Sequence, residues 1–271
     1  MRQSAGEVNR VGLPVRYRRG FALIETEIGI RTLDGTADGL LYLPEEHGRW
    51  PGVFFLTDIT GIRASQRAMA ARICSEGYVV VMPNLYYRAG KPPLFEEGTK
   101  MGDESFTKRM REILSLLTPE AVDQDACSYV DFLSQQAAVM KASFGVVGLC
   151  VSGSIVLRMA AARPDQIGAG ASFHGGRLYT EAPTSPHLLL PRIKAHLYFG
   201  HAVNDKSMPQ AAIDSFDRAL HSWAGKYESE IYDGAQHGWT VVDSPAFNPP
   251  KTERAFKVLK RFFAEALAEA K

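Results

Sequence analysis

From about residue 50 onward, short apolar runs rich in β-branched residues alternate with longer segments of helical periodicity. This alternation predicts an α/β fold, a mostly parallel sheet with helices on both faces. The apolar runs are nearly continuous, which is typical of strands buried on both faces. Strands are predicted over 51–58, 78–84, 144–150, 169–176, 195–202 and 227–235. Helices are predicted over 63–76, 119–140, 152–163, 209–223 and 251–270.

Two further apolar runs, 21–30 and 39–45, precede this alternating region. The turn-rich segment LDGTAD separates them, so we predict an N-terminal antiparallel hairpin and about eight strands in all. A chain of 271 residues with no internal repeat suits one domain, residues 1–271. The connection 90–118 is about thirty residues longer than a compact crossover needs. It is either a lid-like insertion over a binding site or a surface elaboration.

The chain has 31 Lys plus Arg against 30 Asp plus Glu, and this balance argues against a nucleic acid or an anionic membrane as partner. A small molecule is the expected partner. Three cysteines without a C-x-x-C pair give neither a disulfide framework nor a zinc site, and the polar N-terminus lacks the apolar core of a secretory signal. We therefore expect a cytoplasmic protein, monomeric or homodimeric, without a metal or other cofactor.

The strongest local signal is the sequence GLCVSG, residues 148–153, which follows an apolar strand and opens a helix. This context is that of a nucleophile elbow, a tight turn that requires small residues around the nucleophile. Cys150 is the candidate nucleophile, since N–H groups at a helix start stabilise a thiolate. The alternative is that Cys150 is a small buried apolar residue.

A general base and its carboxylate partner are expected on loops after later strands, in the order nucleophile, acid, histidine. Asp205 follows the strand 195–202, and His237 follows the last strand in a glycine-bounded loop. Imidazole can take the thiol proton and return it to a leaving group, while a carboxylate fixes the imidazole tautomer. Alternatively, His237 is a surface histidine and Asp205 a turn or helix cap.

Other residues are expected around this site. The backbone N–H groups of Val151 and Ile59 are the candidate oxyanion hole. Asp58 either orients the thiol or substrate or caps a helix, and Arg88 either pairs with a substrate carboxylate or forms a surface salt bridge. Two aromatic side chains complete the candidate pocket, His174 and Trp239, although packing or a supporting hydrogen bond is the other interpretation of His174.

Five segments, TDITGIR, GYVVVMPNLYYR, GLCVSG, NDKSMP and QHGW, make the chain resemble the dienelactone hydrolase family over roughly residues 20–265. The resemblance implies an α/β-hydrolase fold and a Cys-His-Asp triad of Cys150, His237 and Asp205. It also puts Arg88 on a position that binds a substrate carboxylate. Three residues depart from the family pattern, Asp58 in place of glutamate, Ser152 in place of glycine and Val241 in place of arginine.

The leading hypothesis is therefore hydrolysis of a small ester or lactone through an acyl-thioester. One alternative is an esterase, thioesterase or peptidase-like hydrolase of another substrate class on the same triad. Another is a non-catalytic, ligand-binding relative that keeps the fold.

Overall fold

The computed structural model describes residues 14–16 and 22–269, which form one nine-stranded sheet of order β1-β2-β3-β5-β4-β6-β7-β8-β9. The predicted α/β architecture is confirmed. The strands are Pro14–Arg16 (β1), Ala22–Thr32 (β2), Gly35–Pro44 (β3), Gly52–Leu56 (β4), Val79–Pro83 (β5), Phe144–Leu149 (β6), Ile167–Phe173 (β7), His196–His201 (β8) and Tyr227–Ile231 (β9).

The N-terminal hairpin is confirmed as β2 and β3, which pair antiparallel from Leu23 opposite Pro44 to Thr32 opposite Gly35. β3 starts four residues earlier than the sequence predicts, because the turn uses only residues 33 and 34. β3 is also antiparallel to β5. The six strands that follow β3 in the sheet, in the order β5, β4, β6, β7, β8 and β9, are mutually parallel. The carboxyl ends of these parallel strands therefore meet at one edge of the sheet.

Helices cover both faces of the sheet, and each face has its own apolar core. The helices are Ala64–Cys74 (α1), Glu104–Ser115 (α2), Pro119–Ser134 (α3), Ser152–Ala162 (α4), Gln210–Trp223 (α5) and Pro249–Glu269 (α6). Residues of α3, α4 and α5 fill the core on one face, and residues of α1 and α6 fill the core on the other. Within residues 14–16 and 22–269, no helix has both the length and the hydrophobicity needed to cross a membrane.

The predicted helix 119–140 begins as expected and ends early. Thr118 caps it, because its hydroxyl oxygen accepts a hydrogen bond from the N–H of Ala121. The helix stops at Ser134, and the chain then pairs with Trp50, whose N–H donates to Ala138 O and whose carbonyl accepts from Met140 N–H. These bonds to a neighbouring segment replace a further turn of helix.

Candidate active site

The turn between β6 and α4 has the backbone of a nucleophile elbow. Cys150 has φ 57°, which lies in the left-handed region of backbone conformation that residues other than glycine rarely adopt. A Cβ on Gly148 would lie 2.4 Å from the carbonyl oxygen of Ser152, and one on Gly153 would lie 2.4 Å from Ser172 Oγ. Both positions therefore need glycine for steric reasons.

Ser152 makes hydrogen bonds that a glycine at this position cannot make. Its buried Oγ accepts from the N–H of Leu149 at 2.8 Å. Its own proton has two carbonyl acceptors, Leu56 O and Leu149 O, each at 2.9 Å. The hydroxyl thus links the end of β4 to the elbow, which gives a physical reason for this departure from the family pattern.

Cys150, His237 and Asp205 lie together at the carboxyl edge of the sheet. The Sγ of Cys150 lies 3.0 Å from Nε2 of His237, whose Nδ1 lies 2.6 Å from Oδ2 of Asp205. The Asp205 side chain is 3 % exposed and the His237 side chain 31 %. This chain of contacts is the geometry of a nucleophile, a base and an orienting carboxylate.

Two opposing effects set the protonation of His237. Burial disfavours the charged imidazole, but hydrogen bonds with Asp205 and Cys150 outweigh it and raise the pKa of His237 to about 10. Burial also opposes ionisation of Asp205, yet its bonds with His237 and Ser207 lower the pKa of this carboxyl. The geometry therefore stabilises an imidazolium between two acceptors.

The Asp205 carboxylate is held by Ser207, a residue that sequence reasoning did not find. Oδ1 of Asp205 accepts hydrogen bonds from the backbone N–H of Ser207 at 2.8 Å and from its hydroxyl at 2.7 Å. Oδ2 is left for the imidazole. The aspartate itself was a usable signal, because an aspartate side chain in a turn commonly accepts from the backbone N–H two residues further on.

His174 lies beneath the elbow and outside the cavity. Its side chain is buried, its Nδ1 accepts from the N–H of Cys150 at 3.2 Å, and its Nε2 contacts Thr240 Oγ1 at 2.8 Å. Burial, with the nearby His237, keeps the pKa of His174 well below its ordinary value. His174 is therefore a neutral support of the elbow, which agrees with the packing and hydrogen-bonding interpretation of this residue and not with a place in the pocket.

Trp239 is also absent from the cavity wall. It is fully buried, stacks on Tyr232 with ring centroids 4.9 Å apart, and meets the edge of His174 at 5.0 Å. Its contacts are those of a core residue that supports the loop carrying His237.

The oxyanion hole was expected from two backbone N–H groups, that of Val151, next to Cys150 in the chain, and that of Ile59, in the loop after β4. Ile59 and Val151 both line the cavity that contains Cys150 and His237. Within residues 14–16 and 22–269, neither N–H has a protein acceptor. The Ile59 loop is fixed by Tyr86, whose hydroxyl donates to the carbonyl oxygen of Asp58 at 2.8 Å. Sequence reasoning did not single out Tyr86.

The Asp58 carboxylate faces Arg63 instead of the thiol. Arg63 donates to both Asp58 oxygens, at 2.7 and 2.8 Å, and to both oxygens of Asp243, at 2.8 and 3.0 Å. The N–H of Thr60 donates to Asp58 as well, so the carboxylate closes a loop turn and caps no helix. Arg63 thereby ties the Ile59 loop to the segment that follows His237.

Arg88, expected to bind a substrate carboxylate, lies away from the cavity. Its guanidinium forms two hydrogen bonds with the buried Asp125, at 2.6 and 3.0 Å, and two with Asp34. These bonds join the loop after β5 to α3 and to the β2–β3 turn. Because both of its carboxylate partners belong to the protein, Arg88 has a structural role and not the expected contact with substrate.

The cavity above Cys150 has a volume of about 700 Å³. Its walls come from the Ile59 loop, the segment 101–122, the start of α4, and the loops after β7 and β8. Arg177 lines it with an exposed side chain and a left-handed backbone, φ 55°, and sequence reasoning missed this residue. Among the described residues, no group of three His, Cys, Asp or Glu side chains is placed to hold a metal ion.

Three comparisons relate this chain to known proteins. The model of the Dienelactone hydrolase family matches residues 37–267. The chain is 29 % identical over 217 residues to a carboxymethylenebutenolidase of Rhodococcus opacus, an alignment that covers 79 % of this chain and 80 % of that protein.

Solved structures share the fold. A dienelactone hydrolase from Anabaena variabilis has a TM-score of 0.65 and 17 % identity, covering 90 % of this chain and 98 % of that one. A dienelactone hydrolase-like promiscuous phosphotriesterase from metagenomic libraries has a TM-score of 0.75 and 16 % identity, covering 90 % and 98 %. At these identities the likeness concerns the fold alone.

The position of Arg88 predicts a stability effect. Arg88→Gln leaves the buried Asp125 carboxylate without its cation, so we expect the free energy of unfolding to fall by about 3 kcal/mol in urea titrations. The matched control is Lys194→Gln, which breaks the exposed pair with Asp165 and should cost less than about 1 kcal/mol. Equal, small losses in both variants would contradict the structural role of Arg88.

Proposed function

The chain belongs to the dienelactone hydrolase family, and from that premise we propose that it hydrolyses carboxylic esters or lactones through an acyl-thioester on Cys150. One observation carries the proposal: Cys150 Sγ, at the tip of a left-handed elbow, lies 3.0 Å from His237 Nε2, and Asp205 holds the other imidazole nitrogen. A non-catalytic relative has no need to keep this backbone conformation and both contacts together.

In the first step the Cys150 sulfur attacks the carbonyl carbon of the ester. As the bond from sulfur to carbon forms, His237 Nε2 holds the thiol proton, and the carbonyl oxygen takes up the electron pair as an oxyanion. The N–H groups of Ile59 and Val151 are to stabilise that oxyanion, because neither has an acceptor among the described residues and both residues line the cavity with Cys150. Asp205 stabilises the imidazolium throughout.

In the second step the tetrahedral intermediate collapses. The bond from the carbonyl carbon to the alcohol oxygen breaks, and His237 donates its proton to the departing alkoxide. A water molecule then gives a proton to the neutral His237 while its oxygen attacks the thioester carbon. The second collapse releases the carboxylic acid and returns the sulfur to its starting state. None of these reaction steps uses a cofactor.

Several expectations from the sequence stay predictions in this proposal. They are the lid function of the segment 90–118, the cytoplasmic location, and a monomeric or homodimeric state.

Cys150→Ala should lower kcat/KM for a panel of aryl esters and five-membered lactones by about 10³-fold or more, because the nucleophile is removed. Cys127→Ala, which changes a cysteine outside the cavity, is the matched control and should stay within twofold of the parent. Initial rates from released phenolate or from acid titration measure both. A Cys150→Ala variant as fast as the parent would overturn the thioester mechanism.

Alkylation by iodoacetamide, located by mass spectrometry, provides the second readout. Cys150 should be labelled first, while Cys74 should resist, because it is buried and burial raises its pKa to about 12. A protein with no turnover and an unreactive Cys150 would favour the ligand-binding alternative.

Asp205→Asn should change the pH profile as well as the rate. The Asp205 hydrogen bond and charge raise the pKa of His237, so their removal lowers this pKa. The imidazolium protonates the leaving group, and its deprotonation forms the alkaline limb of kcat/KM. We expect this limb to move to lower pH and the optimum kcat/KM to fall by about 10²- to 10⁴-fold.

The control for this experiment is Asp165→Asn, which changes an exposed carboxylate in an ion pair with Lys194. It should keep the parent pH profile. An alkaline limb at the same pH in Asp205→Asn and the parent would show that Asp205 does not set the protonation of His237.

A further inference from the structure

The size of the cavity exceeds what a small lactone needs. A volume of about 700 Å³ lies in the range that accommodates ligands of drug size. A substrate that left most of this space to water would gain little from the surrounding side chains. The apolar side chains that form one wall are therefore informative about the substrate.

Helix α2 forms that wall. Its residues Phe106, Met110 and Leu114 are spaced four apart, which places them on one face of the helix, and all three line the cavity. Met101 and Leu117, just outside the helix, extend this wall at its two ends. We call these five residues the α2 wall.

The α2 wall is attached to the body of the protein. Phe106 is buried and stacks on Phe95, with ring centroids 4.4 Å apart, and Ile113 is fully buried. Arg109 donates hydrogen bonds to the carbonyl oxygens of Leu94 at 3.1 Å and Ala89 at 2.9 Å. The helix thus has defined contacts that hold its apolar face over the cavity.

The sheet order indicates which part of an ester meets the α2 wall. Cys150 follows β6; β4 and β5 lie on one side of it, and β7, β8 and β9 lie on the other. His237 follows β9, so a leaving group that takes its proton lies on the β7–β9 side. Ile59 follows β4, and α2 follows β5, so the acyl group is left to the α2 side.

On the acyl side of the cavity, the lining side chains are apolar or, where charged, paired with an opposite charge. Val122 and Ile155 line the cavity together with the α2 wall. Arg158 also lines it, but its guanidinium lies 3.3 Å from Asp123 Oδ1 and donates to Thr184 O at 2.9 Å. An apolar acyl group therefore meets an apolar surface there without uncovering an unpaired charge.

We propose that the substrates are esters with a long or bulky apolar acyl group, of about six carbons or more, bound between the α2 wall and the first turns of α3 and α4. This inference rests on the proposed ester hydrolysis at Cys150 and specifies its substrate class. Each buried methylene contributes up to about fourfold in kcat/KM, the equivalent of about 0.8 kcal/mol.

The test measures kcat/KM for p-nitrophenyl acetate, butanoate, octanoate and dodecanoate below their micellar concentrations. The parent should prefer octanoate to acetate by at least tenfold. Met110→Trp, which fills the cavity from α2, should lower this octanoate-to-acetate ratio at least tenfold. Leu114→Trp serves as a second variant, and thermal unfolding shows that each is folded. Lys108→Trp, on the exposed side of the same helix, is the matched control and should keep the parent ratio.

A binding measurement separates the cavity from the chemistry. Calorimetry with the Cys150→Ala variant should show p-nitrophenyl octanoate binding at least tenfold more tightly than p-nitrophenyl acetate. Adding Met110→Trp to that variant should abolish the difference in affinity. Cys150-dependent hydrolysis with equal kcat/KM for acetate and octanoate would overturn the acyl-group inference alone. Absence of any Cys150-dependent turnover would overturn the proposed function, and the inference with it.

Discussion

The left-handed backbone at Cys150 is the constraint on which the rest of the site depends. A cysteine at φ 57° is disfavoured unless its surroundings fix it, and here they fix both of its peptide groups. Its N–H donates toward the carbonyl oxygen of Phe173 and Nδ1 of His174. Its carbonyl oxygen accepts from the N–H groups of Gly153 and Gly176, both at 3.1 Å. The end of β7, the loop after it and the start of α4 thus hold the thiol at the tip of the turn.

Two histidines whose rings lie 5.1 Å apart have opposite electrostatic roles. His174 is buried and its pKa is lowered, so it accepts from the N–H of Cys150 as a neutral ring. His237 lies between Asp205 and Cys150, and its pKa is raised. In active sites, the surroundings of neighbouring titratable groups often move their pKa values apart, so that each group has a different role. The elbow therefore has a fixed support and a proton carrier side by side.

The sequence predicted the features that follow from periodicity and strand order. Alternating apolar and helical patterns indicate the parallel sheet, and chain order places Cys150, Asp205 and His237 on loops at one edge of it. The structure places Cys150 and Asp205 each within hydrogen-bonding distance of His237. Such loop positions are predictable because they depend on strand order and hardly on side-chain conformation.

The sequence could not predict which partner each polar side chain selects. Asp58 and Arg88 both lie on loops at the expected edge, yet Asp58 pairs with Arg63 and Arg88 with Asp125. Those choices depend on the path of α1 and α3, which no local pattern reveals. His174 and Trp239 follow β7 and β9, and the structure buries both side chains outside the cavity. The α2 wall lies mostly in the segment 90–118, and the sequence pattern of that segment does not indicate which side chains face a cavity.

The most direct test of the central claim is to trap the acyl-enzyme. The protein is mixed with an excess of an aryl ester, quenched in acid within the first turnovers, and digested for mass spectrometry. Nucleophilic catalysis at the elbow predicts a mass increase equal to the acyl group on the peptide containing Cys150, and its absence in Cys150→Ala. An acyl group found on another residue, or turnover without any adduct, would contradict the thioester mechanism.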